Sequence, residues 1–178
     1  LNIGTKKEIY SWLKTIGLTL LIALLCRMFI FEPITVEGVS MSPTLENGNK
    51  VIASKISTIE RFDVIIFNAP ENNKKYIKRV IGLPGDKIEM KDDVLFVNGK
   101  AFKEKYINKE IQANKVTEDF SLKDTTGVTA VPDGYFFVLG DNRVKSMDSR
   151  SFGFISKGSV VGKSIFRIYP FTEFGITN

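Results

Sequence analysis

Histidine is absent from the chain and cysteine occurs once, at Cys26. The first absence removes every catalytic scheme built on imidazole; together they remove Cys/His zinc sites and disulfides within the chain. A nucleophilic mechanism here has to take its base from Lys, Asp, Glu, Tyr or an N-terminal amine. A strong charge of one sign is missing too. The net charge is +5 over 178 residues, and lysines are interspersed with Asp and Glu through residues 86–124. That pattern is a solvated surface and lacks the basic face interleaved with aromatics that a nucleic-acid binder shows, whereas a modest basic excess suits anionic lipid. No internal repeat or low-complexity tract is present. Nucleic acid, metal and cofactor are therefore not expected as partners.

What the chain does have is one long apolar run. Residues 9–31 read IYSWLKTIGLTLLIALLCRMFIF, enough to cross ~30 Å of hydrocarbon as a helix, with Trp12 at one end and Phe29 and Phe31 at the other. Lys14 and Arg27 lie near its ends, from where long side chains reach the interface. A removable signal would carry a small-residue cleavage site, which residues 32–37 lack. A soluble core helix would show a polar face, which residues 17–26 lack apart from Thr19. Lys6, Lys7 and Lys14 on one side, against Arg27, Glu32 and Glu37 on the other, predict a cytoplasmic N-terminus. The expected organisation is a cytoplasmic segment 1–8, a transmembrane anchor 9–31 and an extracytoplasmic β-rich domain 32–178.

Beyond the anchor, short apolar runs bounded by turn residues read as strands over 51–54, 63–67, 76–81, 87–90, Val94–Val97, Lys100–Phe102, Tyr135–Leu139 and 164–169. Asn98-Gly99 signals a type I′ hairpin, and Pro84-Gly85 suits the centre of a type II turn. Residues 103–131 turn polar and weakly periodic, which reads as an inserted hairpin or small subdomain over the main sheet and as the most mobile part.

Three segments are dense in candidate chemistry. Gly38-Val39-Ser40-Met41-Ser42-Pro43-Thr44-Leu45 sets a serine behind a glycine that permits close approach of a substrate backbone. Taken alone, such a serine is more often a turn or cap residue. Tyr76-Ile77-Lys78-Arg79-Val80 carries two cations whose side chains alternate to opposite faces of a strand. One of them can enter the core side beside Tyr76 and Val80, where a lysine loses hydration and its pKa falls; a pair of solvated surface cations is the commoner reading. Gly140-Asp141-Asn142-Arg143-Val144-Lys145-Ser146-Met147-Asp148-Ser149-Arg150 follows an apolar strand and reads, by itself, as a surface loop held by Asx turns and Asp/Arg pairs.

In this order the three segments, with the strand at 63–67 and the terminal Tyr169-Pro170-Phe171, closely resemble the bacterial type I signal peptidase family in its Gram-positive-like short form. The resemblance implies a mainly β, signal-peptidase/LexA-like catalytic domain behind one transmembrane helix, single-pass in a bacterial cell membrane. It implies an endopeptidase that removes signal peptides from exported preproteins after small residues, through an acyl-enzyme. Ser40 is then the nucleophile and Lys78 its neutral base, an arrangement that needs a depressed lysine pKa, with apolar burial and the neighbouring Arg79 as the expected sources. Ser146 matches the serine that hydrogen-bonds and orients the base. Arg79, Asp141, Asp148 and Arg150 match supporting residues, by resemblance the ion pairs of the active-site loop. Gly38 stands where some members supply a hydroxyl to the oxyanion hole, so the second donor is expected to be its backbone N–H or a water. Residues 36–39 and 79–83 are expected to flank an extended substrate, with Val36, Val39, Met41 and Tyr76 near the pockets. A self-cleaving LexA-type repressor would need a DNA-binding domain in place of 9–31, and a tethered, non-catalytic binding protein remains the rival from another class.

Overall fold

The structure, a computed structural model, describes residues 3–70, 74–107 and 116–177, with side chains from Lys6 onward. Helix α1 (Ile3–Phe29) has no polar face along residues 15–26, and its charged residues Lys6, Lys7, Glu8, Lys14 and Arg27 lie outside that stretch. Residues 6–29 form a stretch long and apolar enough to cross a membrane, and none of it is buried by protein. The helix starts before the expected span 9–31 and ends before its last residues, because Phe31 opens strand β1 (Phe31–Thr35). Pro33 disfavours helical backbone at the residue before it, and its missing N–H is harmless on the edge strand it occupies.

The remaining strands are β2 (Lys50–Ser54), β3 (Val64–Asn68), β4 (Lys75–Gly82), β5 (Ile88–Lys91), β6 (Val94–Val97), β7 (Lys100–Phe102) and β8 (Phe120–Ser121). Helix α2 (Leu122–Thr126) precedes β9 (Tyr135–Leu139), and helix α3 (Ser149–Phe152) precedes β10 (Ile155–Ser156), β11 (Val160–Tyr169) and β12 (Gly175–Ile176). The larger sheet runs β1-β2-β11-β3-β4-β9-β10 with β12 added to β11; the smaller runs β7-β6-β5-β8. Every pairing is antiparallel.

Alternation along β3 splits the main sheet's apolar residues between its two faces. Val64 and Ile66 join Ile34, Val36, Met41, Leu45, Val51 and Ile77 in one cluster. Ile65 and Phe67 join Val80, Phe136 and Val138 on the other side. A third cluster, with Ile81, Phe137 and Leu139 of the large sheet and Ile88, Met90, Leu95 and Val97 of the small one, binds the two sheets together.

The expected insert at 103–131 is only partly a unit of its own. Residues 108–115, on which part of that expectation and of its mobility falls, lie outside the described residues. The rest makes no separate hairpin: β8 adds to β5, and Leu122 of α2 is buried in the inter-sheet cluster. The small sheet therefore begins at Ile88, ahead of the polar stretch. The Asn98-Gly99 turn has positive φ at both central residues, 53° and 77°, as type I′ requires, and Asp86 N–H closes the Pro84-Gly85 turn onto Leu83 O at 3.0 Å. Because a β-branched residue is strained at positive φ, Gly99→Val should lower stability by ~1–2 kcal/mol in urea unfolding followed by circular dichroism.

Candidate active site

Strand β4 is covered on one flank by β3 from Lys75 to Arg79, but on the other β9 reaches only Arg79, Val80 and Gly82. Residues 75–78 thus have an open edge on that flank. The outer edge of β1 has no strand partner among the described residues either. The two edges face a cleft of about 690 Å³, bordered by Thr35, Gly38, Ser40, Tyr76, Lys78 and Met147 among others.

Lys78 leaves β4 on the side of Tyr76 and Val80 and is 4% exposed. Its Nζ donates to Ser40 Oγ at 2.8 Å and to Ile77 O at 3.0 Å, and lies 5.4 Å from the centre of the Tyr76 ring. Burial pulls this ammonium down to about 8, against the charges of Asp148 and then Asp141, which hold it up. At that value about one molecule in ten carries a neutral Lys78 at pH 7, against one in two to three thousand for a free lysine.

Arg79 is buried as well, at 1% exposure, so neither member of the Lys-Arg dipeptide is a solvated cation. Its guanidinium grips Asp141 with Nε at 2.9 Å and Nη2 at 2.6 Å, donates to Phe62 O at 2.7 Å, and stacks over the Tyr106 ring at 4.0 Å. The expected contribution of Arg79 to the low lysine pKa is absent from the causes of that shift; Arg79 points to the other face and its charge is matched by Asp141. Thr44 Oγ1 donates to the same carboxylate, and Asn142 N–H donates to Ser40 O at 3.0 Å. The serine segment and the loop after β9 are thereby fastened together.

That loop is held from within. Asp148 accepts from Gly140 N at 3.0 Å and from Arg150 Nε at 2.8 Å, and caps α3 through Arg150 N. Arg150 Nη2 donates to Arg143 O at 2.7 Å, and Arg143 donates to Gly140 O at 3.0 Å while pairing with Glu104. Arg79, Asp141, Asp148 and Arg150 thus form the expected ion pairs. Arg143, Thr44 and Gly140 join them without having been singled out, although all three lie inside the segments read above.

Two expectations fail. Ser146 Oγ is buried and meets no hydrogen-bond partner among the described residues, so the bond expected from it to Lys78 is not formed. The hydroxyl lies instead against the Gly140 backbone: a Cβ at residue 140 would overlap Ser146 Oγ and stand 2.5 Å from Ser40 O. Gly38 has φ +82°, and its N–H donates to Asn47 Oδ1 at 2.9 Å. That donor is engaged and is not free for a substrate oxyanion. Nothing in the pattern of the sequence marked Asn47. The Ser40 N–H has no acceptor among the described residues.

Val36, Val39, Met41 and Tyr76 all border the cleft. Val36 and Met41 are core residues at 3% and 1% exposure, forming floor, while Val39 stands out from it. The expected flank 79–83 is a correction: β9 covers it, and the cleft lies along 74–78 instead.

Removing one partner of a buried ion pair strands the other charge. Asp141→Ala should cost about 3–5 kcal/mol in urea unfolding, and Gly140→Ala about 1–3 kcal/mol through the overlap at Ser146.

The family model of the signal peptidases, peptidase S26, matches residues 9–169. Signal peptidase I of Bacillus caldolyticus is 50% identical over 157 residues, covering 83% of this chain and 85% of that one. Signal peptidase I of Bacillus licheniformis is 44% identical over 94% of this chain and 92% of that one. Signal peptidase IB of Staphylococcus aureus (strain COL) is 42% identical over 95% and 94%. A crystal structure of a signal peptidase I from Enterococcus faecalis V583 matches with a TM-score of 0.58 at 43% identity, covering 61% of this chain and 97% of that one. With the whole span from α1 to the end of β11 matched, the chain belongs to the signal peptidase family, peptidase S26, and is a serine peptidase of that family.

Proposed function

We propose that the chain is a membrane-bound endopeptidase that removes signal peptides from exported preproteins, with Ser40 as nucleophile and Lys78 as general base. The observation that carries this reading is the 2.8 Å contact between Lys78 Nζ and Ser40 Oγ at a lysine that is 4% exposed. In the neutral form Lys78 accepts the Ser40 hydroxyl proton as Oγ attacks the carbonyl carbon before the scissile bond. The same lysine returns that proton to the departing amine, leaving an ester on Ser40. It then takes a proton from water as the water oxygen attacks the ester, and passes it to Ser40 Oγ as the ester C–O bond breaks, which frees the signal peptide and restores the serine hydroxyl and the neutral lysine. The Ser40 N–H is the donor available to the developing oxyanion, since that of Gly38 is held by Asn47.

An extended substrate fits between the open edges of β1 and β4, where backbone hydrogen bonds hold it and alternate side chains turn toward the cleft floor. The buried Val36, Met41 and Ile77 make that floor shallow, which favours small residues. With α1 in the bilayer and its lysine-rich end in the cytoplasm, the cleft lies at the outer membrane face, against lipid, where a signal peptide emerges.

Ser40→Ala and Lys78→Ala should each lower cleavage of an exported precursor by at least about 10³-fold; equal cleavage by the native and Ser40→Ala chains would leave only a tethered binding protein. Because the active form is the deprotonated lysine, kcat/KM should rise with pH through an apparent pKa of about 8 and then level off. A profile flat from pH 6 to about 9 would remove Lys78 as the base.

A further inference from the structure

Glu32 sits on β1 and Lys75 on β4, strands separated by three others in the sheet, yet the two side chains form an ion pair. Lys55 Nζ meets the second oxygen of Glu32 at 3.0 Å and also donates to Met28 O at the end of α1, at 3.2 Å. The Glu32 carboxyl is held below its usual value first by Lys75 and then by Lys55, against the cost of burial. One carboxylate thus joins the helix end to both walls of the cleft. Its two partners open on different cavities. Lys75 lines the catalytic cleft, and Lys55, with Glu32, lines a smaller cavity of about 380 Å³ beside the helix.

Alternation puts Glu32 on the face of Ile34 and Val36, and Lys75, which lines the cleft, on the face of Ile77, so the pair lies on the same side of the sheet as the cleft floor. The pairings β1/β2, β2/β11, β11/β3 and β3/β4 are each antiparallel, so β1 and β4 run in the same direction. A substrate emerging beside α1 and running along them passes Glu32 and Lys75 before it reaches Ser40. If its first and third residues before the cleaved bond turn to the floor, its fifth does so too, at the level of this pair.

We propose that Glu32, Lys55 and Lys75 form a charge-reading gate at the membrane end of the cleft, which favours an acidic over a basic side chain at the fifth substrate residue before the cleaved bond. This rests on the peptidase reading above. A substrate carboxylate takes Lys75 while Glu32 keeps Lys55. A substrate ammonium finds Glu32 already paired twice and meets Lys75 and the adjoining Lys74 in the cleft lining.

The test uses the full chain in liposomes of zwitterionic lipid and one precursor peptide carrying Asp or Lys at the fourth, fifth or sixth residue before the cleaved bond. The readout is the ratio of kcat/KM for Asp over Lys within each enzyme, so a general loss of activity cancels. The native ratio at the fifth residue should be about five-fold, carried by KM and shrinking at high salt, with ratios near one at the fourth and sixth. Lys75→Glu should invert it, Lys75→Gln should flatten it and Lys75→Arg should keep it. A ratio unchanged in both Lys75→Glu and Lys75→Gln, with peptides still cut, overturns the gate alone. A native chain that cleaves none of the peptides overturns the peptidase reading, and the gate with it.

Discussion

The ion pair between Arg79 and Asp141 joins β4 to the loop after β9, and both side chains are almost fully shielded from water. Asp141 also receives Thr44 from the serine segment, so three stretches distant in sequence converge on one carboxylate. Lys78 is the strand neighbour of Arg79 and is placed by the same strand. Its depressed pKa depends on that convergence, because the packed segments keep water away. It also depends on where the negative charges go. Asp148 and Asp141 both favour the ammonium, yet Asp148 is gripped by Arg150 and Asp141 by Arg79. Each carboxylate that acts on Lys78 has a cation of its own, and desolvation wins.

Much of this architecture was legible in the sequence. The apolar run and the Val94–Val97, Asn98-Gly99, Lys100–Phe102 hairpin needed only local rules, since a helix that faces lipid and a turn at positive φ declare themselves in a few residues. Alternation along β4 set Lys78 and Arg79 on opposite faces, but it left open which of them enters the side of Tyr76 and Val80. The burial of Arg79 was not legible, because what makes a buried guanidinium tolerable is an acid 62 positions away in the chain. The two-residue strands β8, β10 and β12 are too short for any period to register; tertiary pairing makes them. The Gly38–Asn47 bond spans nine residues of loop without a pattern. The orienting bond of Ser146 came from resemblance alone, and here its hydroxyl lies against Gly140 instead.

The site therefore differs in character from a triad. In the proposed mechanism the base, Lys78, has no hydrogen bond from a third side chain among the described residues; Ile77 O and the close walls hold its amine. On that proposal, electrostatic help for the oxyanion falls mainly to one backbone N–H, so positioning of the substrate along β1 and β4 carries more of the catalytic burden.

Between the last residue of α1 and the first of β1 there is only Ile30. Its N–H bonds back to Cys26 O, its carbonyl accepts from Lys55 N at 2.8 Å, and Lys55 reaches Met28 O. The junction is short and bonded on both sides, which restrains the swing of the catalytic domain on its helix. With α1 in the bilayer, as proposed, the height of Ser40 above the membrane becomes a fixed length, and the protein acts as a ruler. Of the many small residues on an exported chain, those presented at that height meet the serine, and the rest pass out of its reach.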